Sequence, residues 1–165
     1  MRTLILLRHA KAVRAHEAPD DKSRGLTGRG RREAALAGAA MAAAGLKPAL
    51  ALISTAQRTR ETAVCGLQAF KPEERFEEAL YHASPEGIWD AFEASDAGSV
   101  VIVGHNPGVG ELVSALLHQA HDGSSWARQL SGHFPTSAFA AFELRGDLMT
   151  AAGPRLLAAW KPERE

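Results

Sequence analysis

Cysteine is almost missing from this sequence: Cys65 stands alone among 165 residues, so no disulfide can close within the chain. A lone thiol fits a reducing compartment, and in the helix expected after Arg58 it reads as a small core residue. An excess of either charge is missing too. Nineteen Lys and Arg balance nineteen Asp and Glu, which removes the overall basic field that nonspecific nucleic-acid binding draws on but leaves room for a local phosphate-holding patch. No apolar stretch approaches the length of a membrane span, and Met1 to Leu7 is too short for the apolar part of a signal peptide before it meets Arg8. A cytoplasmic protein with no membrane attachment is expected. Neither a P-loop lysine motif nor a convincing acidic metal cluster is present, which argues against magnesium-dependent nucleotide hydrolysis. No repeat, low-complexity tract or linker interrupts residues 1–165, and 45% hydrophobic residues suffice for one substantial core, so a single domain is expected.

What is present begins with Leu4-Ile5-Leu6-Leu7, an apolar run without polar alternation that stops on Arg8-His9. Such a run reads as a strand buried on both faces, inside a parallel sheet flanked by helices. Its carboxyl end is where open α/β sheets bind ligands. Val100-Val101-Ile102-Val103 repeats the pattern and stops on Gly104-His105-Asn106-Pro107. Asn106 is a good helix N-cap and Pro107 suits the first helical position, so His105 is expected where a strand hands over to a helix N-terminus, a favourable place for an anion. A third strand, Leu50 to Ile53, precedes Ser54 and Gln57, whose spacing fits a capping box. That box places Arg58 and Arg60 in the first helical turns, where a cation opposes the helix dipole unless an anion binds beside it. Solvation on an amphipathic helix accounts for Arg60.

Leu7-Arg8-His9, Ser54-x-x-x-Arg58-x-x-x-Thr62 and Gly104-His105-Asn106-Pro107 together resemble the histidine phosphatase superfamily, and most closely its SixA-type phosphohistidine phosphatases. The resemblance spans nearly the whole chain. It implies a phosphoglycerate mutase-like fold: a three-layer α/β/α sandwich whose mostly parallel central sheet carries an antiparallel C-terminal addition. It also implies that His9 is the phosphorylated nucleophile, with Arg8, Arg58 and His105 around the phosphoryl group. One departure is Ala10, where the superfamily usually has glycine. Were that position to need a positive φ, a Cβ would cost about 1 kcal/mol, a tolerable strain.

Between the first strand and Thr27 lies a charged loop, residues 11–26, of a length that is more often functional than idle. Asp21-x-x-Arg24-x-Leu26-Thr27-x-x-Gly30 is similar to a SixA segment that approaches the phosphate, which makes Arg24 a candidate third arginine. A surface ion pair of Arg24 with Asp20 or Asp21 is the competing reading. Thr27 caps a helix from Gly28 to about Ala44, alanine-rich beyond a basic start at Arg29, Arg31 and Arg32 that reads as a solvated face or an acidic partner's docking surface. Arg75 to Tyr81 is expected as a short edge strand, and Ser84-Pro85-Glu86 opens a helix with Ile88, Trp89 and Phe92 facing the core. Beyond the Pro107 helix, His118 and His121 stand three apart beside Asp122. No upstream cluster completes a ligand set, so they read as a polar helix end and no metal site is expected. A loop is expected over residues 123–133, then strands over 137–144 and 155–160 joined by a turn at Arg145-Gly146-Asp147.

Phosphoryl transfer asks for positioning and charge stabilisation, which two arginines and two histidines provide without metal or other cofactor. The expected route has neutral His9 attack phosphorus, Arg8 and Arg58 hold the equatorial oxygens, a charged His105 stabilise the developing charge and Asn106 contact substrate. Relatives that cleave alkyl phosphates take a carboxylic acid from a longer insert after the position of Glu78, and here Ala79 to Ser84 holds none. Imidazole, with a pKa of about 6.5, leaves more readily than an alkoxide, which favours a phosphohistidine-bearing protein as partner. Asp21, Glu77 and Glu78 remain possible acids. A small phosphorylated metabolite is the alternative substrate, and a phosphate-binding module without turnover the alternative of another class. One compact domain with no spare apolar helix points to a monomer.

Overall fold

The computed structural model describes residues 1–145 and 153–163. Its centre is a six-stranded sheet in the order β3-β2-β4-β1-β5-β6. β1 (Arg2–Arg8), β2 (Leu50–Ser54), β3 (Glu73–Glu77) and β4 (Ser99–Gly104) run parallel, and β5 (Phe139–Leu144) joins β1 antiparallel before pairing antiparallel with β6 (Arg155–Trp160). Among the described residues five α-helices accompany them: α1 (Gly28–Ala43), α2 (Gln57–Leu67), α3 (Pro85–Ala94), α4 (Gly108–Ala120) and α5 (Trp126–Leu130).

Doubly apolar strands make sense because each face of the sheet is covered. Leu4, Leu6, Val100 and Ile102 pack with Phe92 of α3 and Leu112, Val113 and Leu116 of α4. Ile5, Leu7, Val101 and Val103 face the other way, against Ala37 and Met41 of α1 and Ala63 and Leu67 of α2. A period of two thus splits one apolar run between two cores, giving the expected three-layer sandwich.

α1 and α2 touch through small residues. A Cβ on Gly38 would fall 2.1 Å from the carbonyl oxygen of Gly66, a backbone atom that cannot swing aside. Gly38→Ala is therefore expected to destabilise the protein by about 3 kcal/mol, despite alanine's better helix propensity, as read by chemical denaturation. Retained or increased stability would mean that the helices separate freely.

Several local expectations are corrected. β3 ends at Glu77, opposite Ser54 at the end of β2, and Glu78–Leu80 forms a single 3-10 turn, so Tyr81 leaves the sheet. The capping box at Ser54 and Gln57 does not form: Ala56 is the N-cap of α2, and the Gln57 amide donates instead to the Lys22 carbonyl at 2.9 Å. Pro107 is the N-cap of α4 rather than its first residue, although Asn106 still accepts from the Gly110 amide at 3.0 Å. The loop expected over 123–133 contains α5. Thr27 and Ser84 cap α1 and α3 as expected, accepting from the amides of Gly30 and Gly87. From Gly146 on, the turn expected after β5 lies outside the described residues. Among the described residues no helix is long and apolar enough to cross a membrane.

Candidate active site

The carboxyl ends of β1, β2 and β4 open on one cavity of about 270 Å³, lined by Arg8, His9, Lys11, Asp21, Arg24, Arg58, His82, His105 and Asn106 among others. Every site residue expected from the sequence is thus at one crevice. A larger groove of about 970 Å³, between Arg29, Arg32, Trp126 and Trp160, contains none of them.

His9 is buried, and its Nδ1 lies 2.7 Å from the Ala10 carbonyl oxygen. A carbonyl only accepts, so Nδ1 carries the proton and the lone pair of the neutral ring sits on Nε2. Burial lowers the His9 pKa to about 3, with Arg8, His105 and Arg58 adding to the effect against the Ala10 hydrogen bond. Ala10 itself is fully buried among Leu26 and Ala34, and it is not among the residues at positive φ, so the anticipated strain does not arise. Its amide donates to Thr62 Oγ1 at 2.9 Å, and that hydroxyl donates to the Arg58 carbonyl at 2.7 Å. β1 and α2 are thereby tied together behind the pocket.

His105 stands 5.4 Å from His9, ring centre to ring centre. Its Nε2 is 2.7 Å from Ser54 Oγ, while its Nδ1 is buried without a partner. If Ser54 donates, the neutral ring carries its proton on Nδ1, as an anion in the cavity would require. Burial first, then Arg58 and His82, lower the His105 pKa to about 3, so the charged form expected from the sequence is replaced by a neutral one in the open site. Ser54→Ala would free His105 to take the other tautomer. A fall of about tenfold in kcat with little change in KM is expected, and Ser54→Thr, which keeps the hydroxyl, should restore most of it.

Arg58, 3% exposed, is gripped by Asp21: one terminal nitrogen donates to its carbonyl at 2.7 Å and the other to Oδ2 at 3.0 Å. Its Nε is buried without a partner. Asp21 also accepts from Tyr81 Oη, from Arg24 at 2.9 Å, and lies 3.2 Å from His82 Nε2. These donors, Tyr81 foremost, hold its carboxyl well below the usual range, and the same bond raises the Tyr81 hydroxyl. Arg24 forms the expected ion pair with Asp21 and also lines the cavity. Asn106 lines the cavity as well, anchored to protein by one Nδ2–H donated to the Phe134 carbonyl at 2.8 Å and by Oδ1 accepting from the Gly110 amide. The Phe134 carbonyl also accepts from Arg8 at 3.0 Å, so Asn106 and Arg8 share an anchor. Glu78 is paired with Lys22 and Thr55, and neither it nor Glu77 lines the cavity.

Tyr81 and His82 are additions that sequence reasoning missed. Cys65 is half-buried and packs against the Ala10 cluster. His118 and His121 lie together at the end of α4, and among the described residues no group of three His, Cys, Asp or Glu is placed to hold a metal ion.

Two buried neutral histidines depress stability in acid. Above pH 6.5 neither folded nor unfolded chain protonates them. Below it the unfolded chain takes up protons that the native chain refuses until the pH nears 3. Thermal unfolding should show a loss of about 2 kcal/mol for each histidine between about pH 6.5 and 4.5, reduced when inorganic phosphate is present. A flat profile would contradict the burial of both rings.

An α/β sandwich with two histidines and two arginines at the carboxyl edge of its parallel strands defines an oxyanion-handling enzyme class. Residues 4–94 match the histidine phosphatase superfamily (branch 1), and the chain belongs to that family. It is 33% identical over 146 residues to an uncharacterized protein of Mycobacterium leprae (strain TN), covering 85% of this chain and 88% of the relative. Among solved structures, it superposes on a candidate SixA phosphohistidine phosphatase of Nakamurella multipartitia with a TM-score of 0.81 and 30% identity, covering 98% and 96% of the two chains. A second candidate SixA, from Agrobacterium tumefaciens, gives the same TM-score and identity over 98% of each chain.

Proposed function

We propose that this phosphatase dephosphorylates phosphohistidine on a partner protein, through a phosphohistidine intermediate on its own His9. The observation that carries the reading is a set of unsatisfied groups around one cavity. Arg58 Nε and His105 Nδ1 are buried without partners beside a histidine whose Nε2 lone pair is kept available. Buried donors left unpaired ask for an acceptor, and phosphoryl oxygens supply it.

His9 Nε2 attacks phosphorus in line, and the leaving group departs with the electron pair of its bond to phosphorus. Arg8 and Arg58 hold the equatorial oxygens, and His105 donates Nδ1–H to the charge that builds on them. Water then attacks the phosphoenzyme, returning the electron pair to Nε2. The likeness to two candidate SixA proteins supports phosphohistidine over a phosphoester. So does the cavity lining, where among the described residues the carboxyl group is that of Asp21, held as a carboxylate by three donors.

Release of inorganic phosphate from a phosphohistidine-bearing protein, compared with a panel of small phosphoesters, tests the reading. Faster release from phosphohistidine is expected. Preference for a phosphoester would keep the route and replace the substrate, and phosphate binding without release from either would leave a binding module.

A further inference from the structure

Phosphohistidine leaves as neutral imidazole only if the ring nitrogen remote from phosphorus carries a proton, and none of the carboxylates considered is placed to supply it. Glu77 and Glu78 do not line the cavity, and Asp21 is spent on Arg58, Arg24 and Tyr81. His82 does line it. The side chain is 53% exposed, so the ring stands at the rim where a leaving group departs rather than at the floor with His9 and His105.

The surroundings hold that ring in place. His82 Nε2 lies 3.2 Å from Asp21 Oδ2, and its Nδ1 has no hydrogen-bond partner among the described residues. The ring centre is 4.1 Å from Tyr81 and 5.3 Å from His105. The backbone sits at φ +54°, a left-handed conformation that a histidine adopts at a cost and that structures tend to keep at functional positions. Lys22, paired with Glu78 and 5.1 Å above the Tyr81 ring, closes the charged loop onto this corner. A carboxylate on one ring nitrogen orients a histidine and leaves the other nitrogen directed away from it to pass a proton.

We propose that His82, oriented by Asp21 at the cavity rim, is the proton donor to the remote ring nitrogen of a phosphohistidine substrate. The assignment rests on the function proposed above and names the residue that fits its substrate to the site. As His9 Nε2 bonds to phosphorus, the phosphorus–nitrogen bond breaks and its electron pair stays on the leaving ring. That ring's far nitrogen takes the proton from His82 and departs as neutral imidazole. Neutral His82, half exposed at the rim, then recovers its proton from bulk solvent, while the water that attacks the phosphoenzyme gives its proton to the departing phosphate. A rim position suits this task because the remote nitrogen lies a ring's width farther from phosphorus than the bridging atom of an ester does.

The test is His82→Asn, since asparagine tolerates the left-handed backbone and can still donate to Asp21, but cannot transfer a proton. Two probes are used, N-phosphoimidazole and p-nitrophenyl phosphate, the second having a leaving group that needs no proton. Turnover of phosphoimidazole is expected to fall about 100-fold, and that of p-nitrophenyl phosphate by less than about threefold. Equal losses on both probes would make His82 a structural or binding residue and overturn the proposal, as would no loss on either. His9→Ala run beside it separates the two claims: turnover surviving in that variant would sink the covalent route whatever His82 does.

Discussion

His9→Ala is expected to release phosphate more slowly than the native protein by on the order of 10⁴-fold or more, because no other side chain can take over attack on phosphorus. The variant removes the ring whose Nδ1 is committed to the Ala10 carbonyl, and with it the Nε2 lone pair at the cavity floor. Arg8, Arg58 and His105 remain, so phosphate should still bind and still raise the melting temperature. That separates loss of chemistry from loss of fold. Rapid quenching into alkali after mixing with radiolabelled substrate should trap label on the native chain and none on His9→Ala, since a phosphoramidate survives base and is lost in acid. Turnover at native rates in the variant, or an unlabelled native chain during turnover, would require direct attack by water and would remove the covalent route.

The parts of this arrangement that were legible in sequence are those decided locally or by burial. Leu4–Leu7 and Val100–Val103 announced central strands because each residue is needed by one of two cores, and a strand covered on both sides has no polar face to alternate. Thr27 and Ser84 were legible as caps because each side chain meets an amide three residues on. Ser54 has the same local pattern and was misread, because its hydroxyl serves a ring 51 positions away, and no local rule weighs that competition. Tyr81 and His82 were hidden by the expectation that β3 runs to Tyr81. Pairing with β2 stops at Ser54, which ends β3 at Glu77 and frees the next residues to turn toward the cavity. Arg8, His9, Arg58 and His105 could be expected together because each follows a strand end on the same sheet edge, whereas Asp21 sits in a loop whose path depends on what Arg58 and Tyr81 offer it. α5, with five residues, is too short for periodicity to reveal.

Arg58→Ala is the second large effect, a fall in kcat/KM on the order of 10³-fold, or about 4 kcal/mol of lost transition-state stabilisation. Two losses combine. The guanidinium whose Nε faces no partner in the open site no longer meets a phosphoryl oxygen, and Asp21 loses one of the two arginines paired with it. A carboxylate left with Arg24 as its remaining arginine partner is less fully neutralised, and beside the phosphate position it repels the substrate. This makes the effect of Asp21→Asn depend on its background. In the native chain that change loosens Arg58, which should lower kcat/KM by roughly tenfold, because the orientation of the fork is part of its value. In the Arg58→Ala chain the same change removes a repulsion and should raise kcat/KM by a similar factor, roughly tenfold. A double-mutant cycle on one substrate, with inhibition by inorganic phosphate measured for all four proteins, checks both signs. If Asp21→Asn lowers activity equally in both backgrounds, Asp21 acts on substrate independently of Arg58, and the picture of a carboxylate that serves to hold the arginine fails.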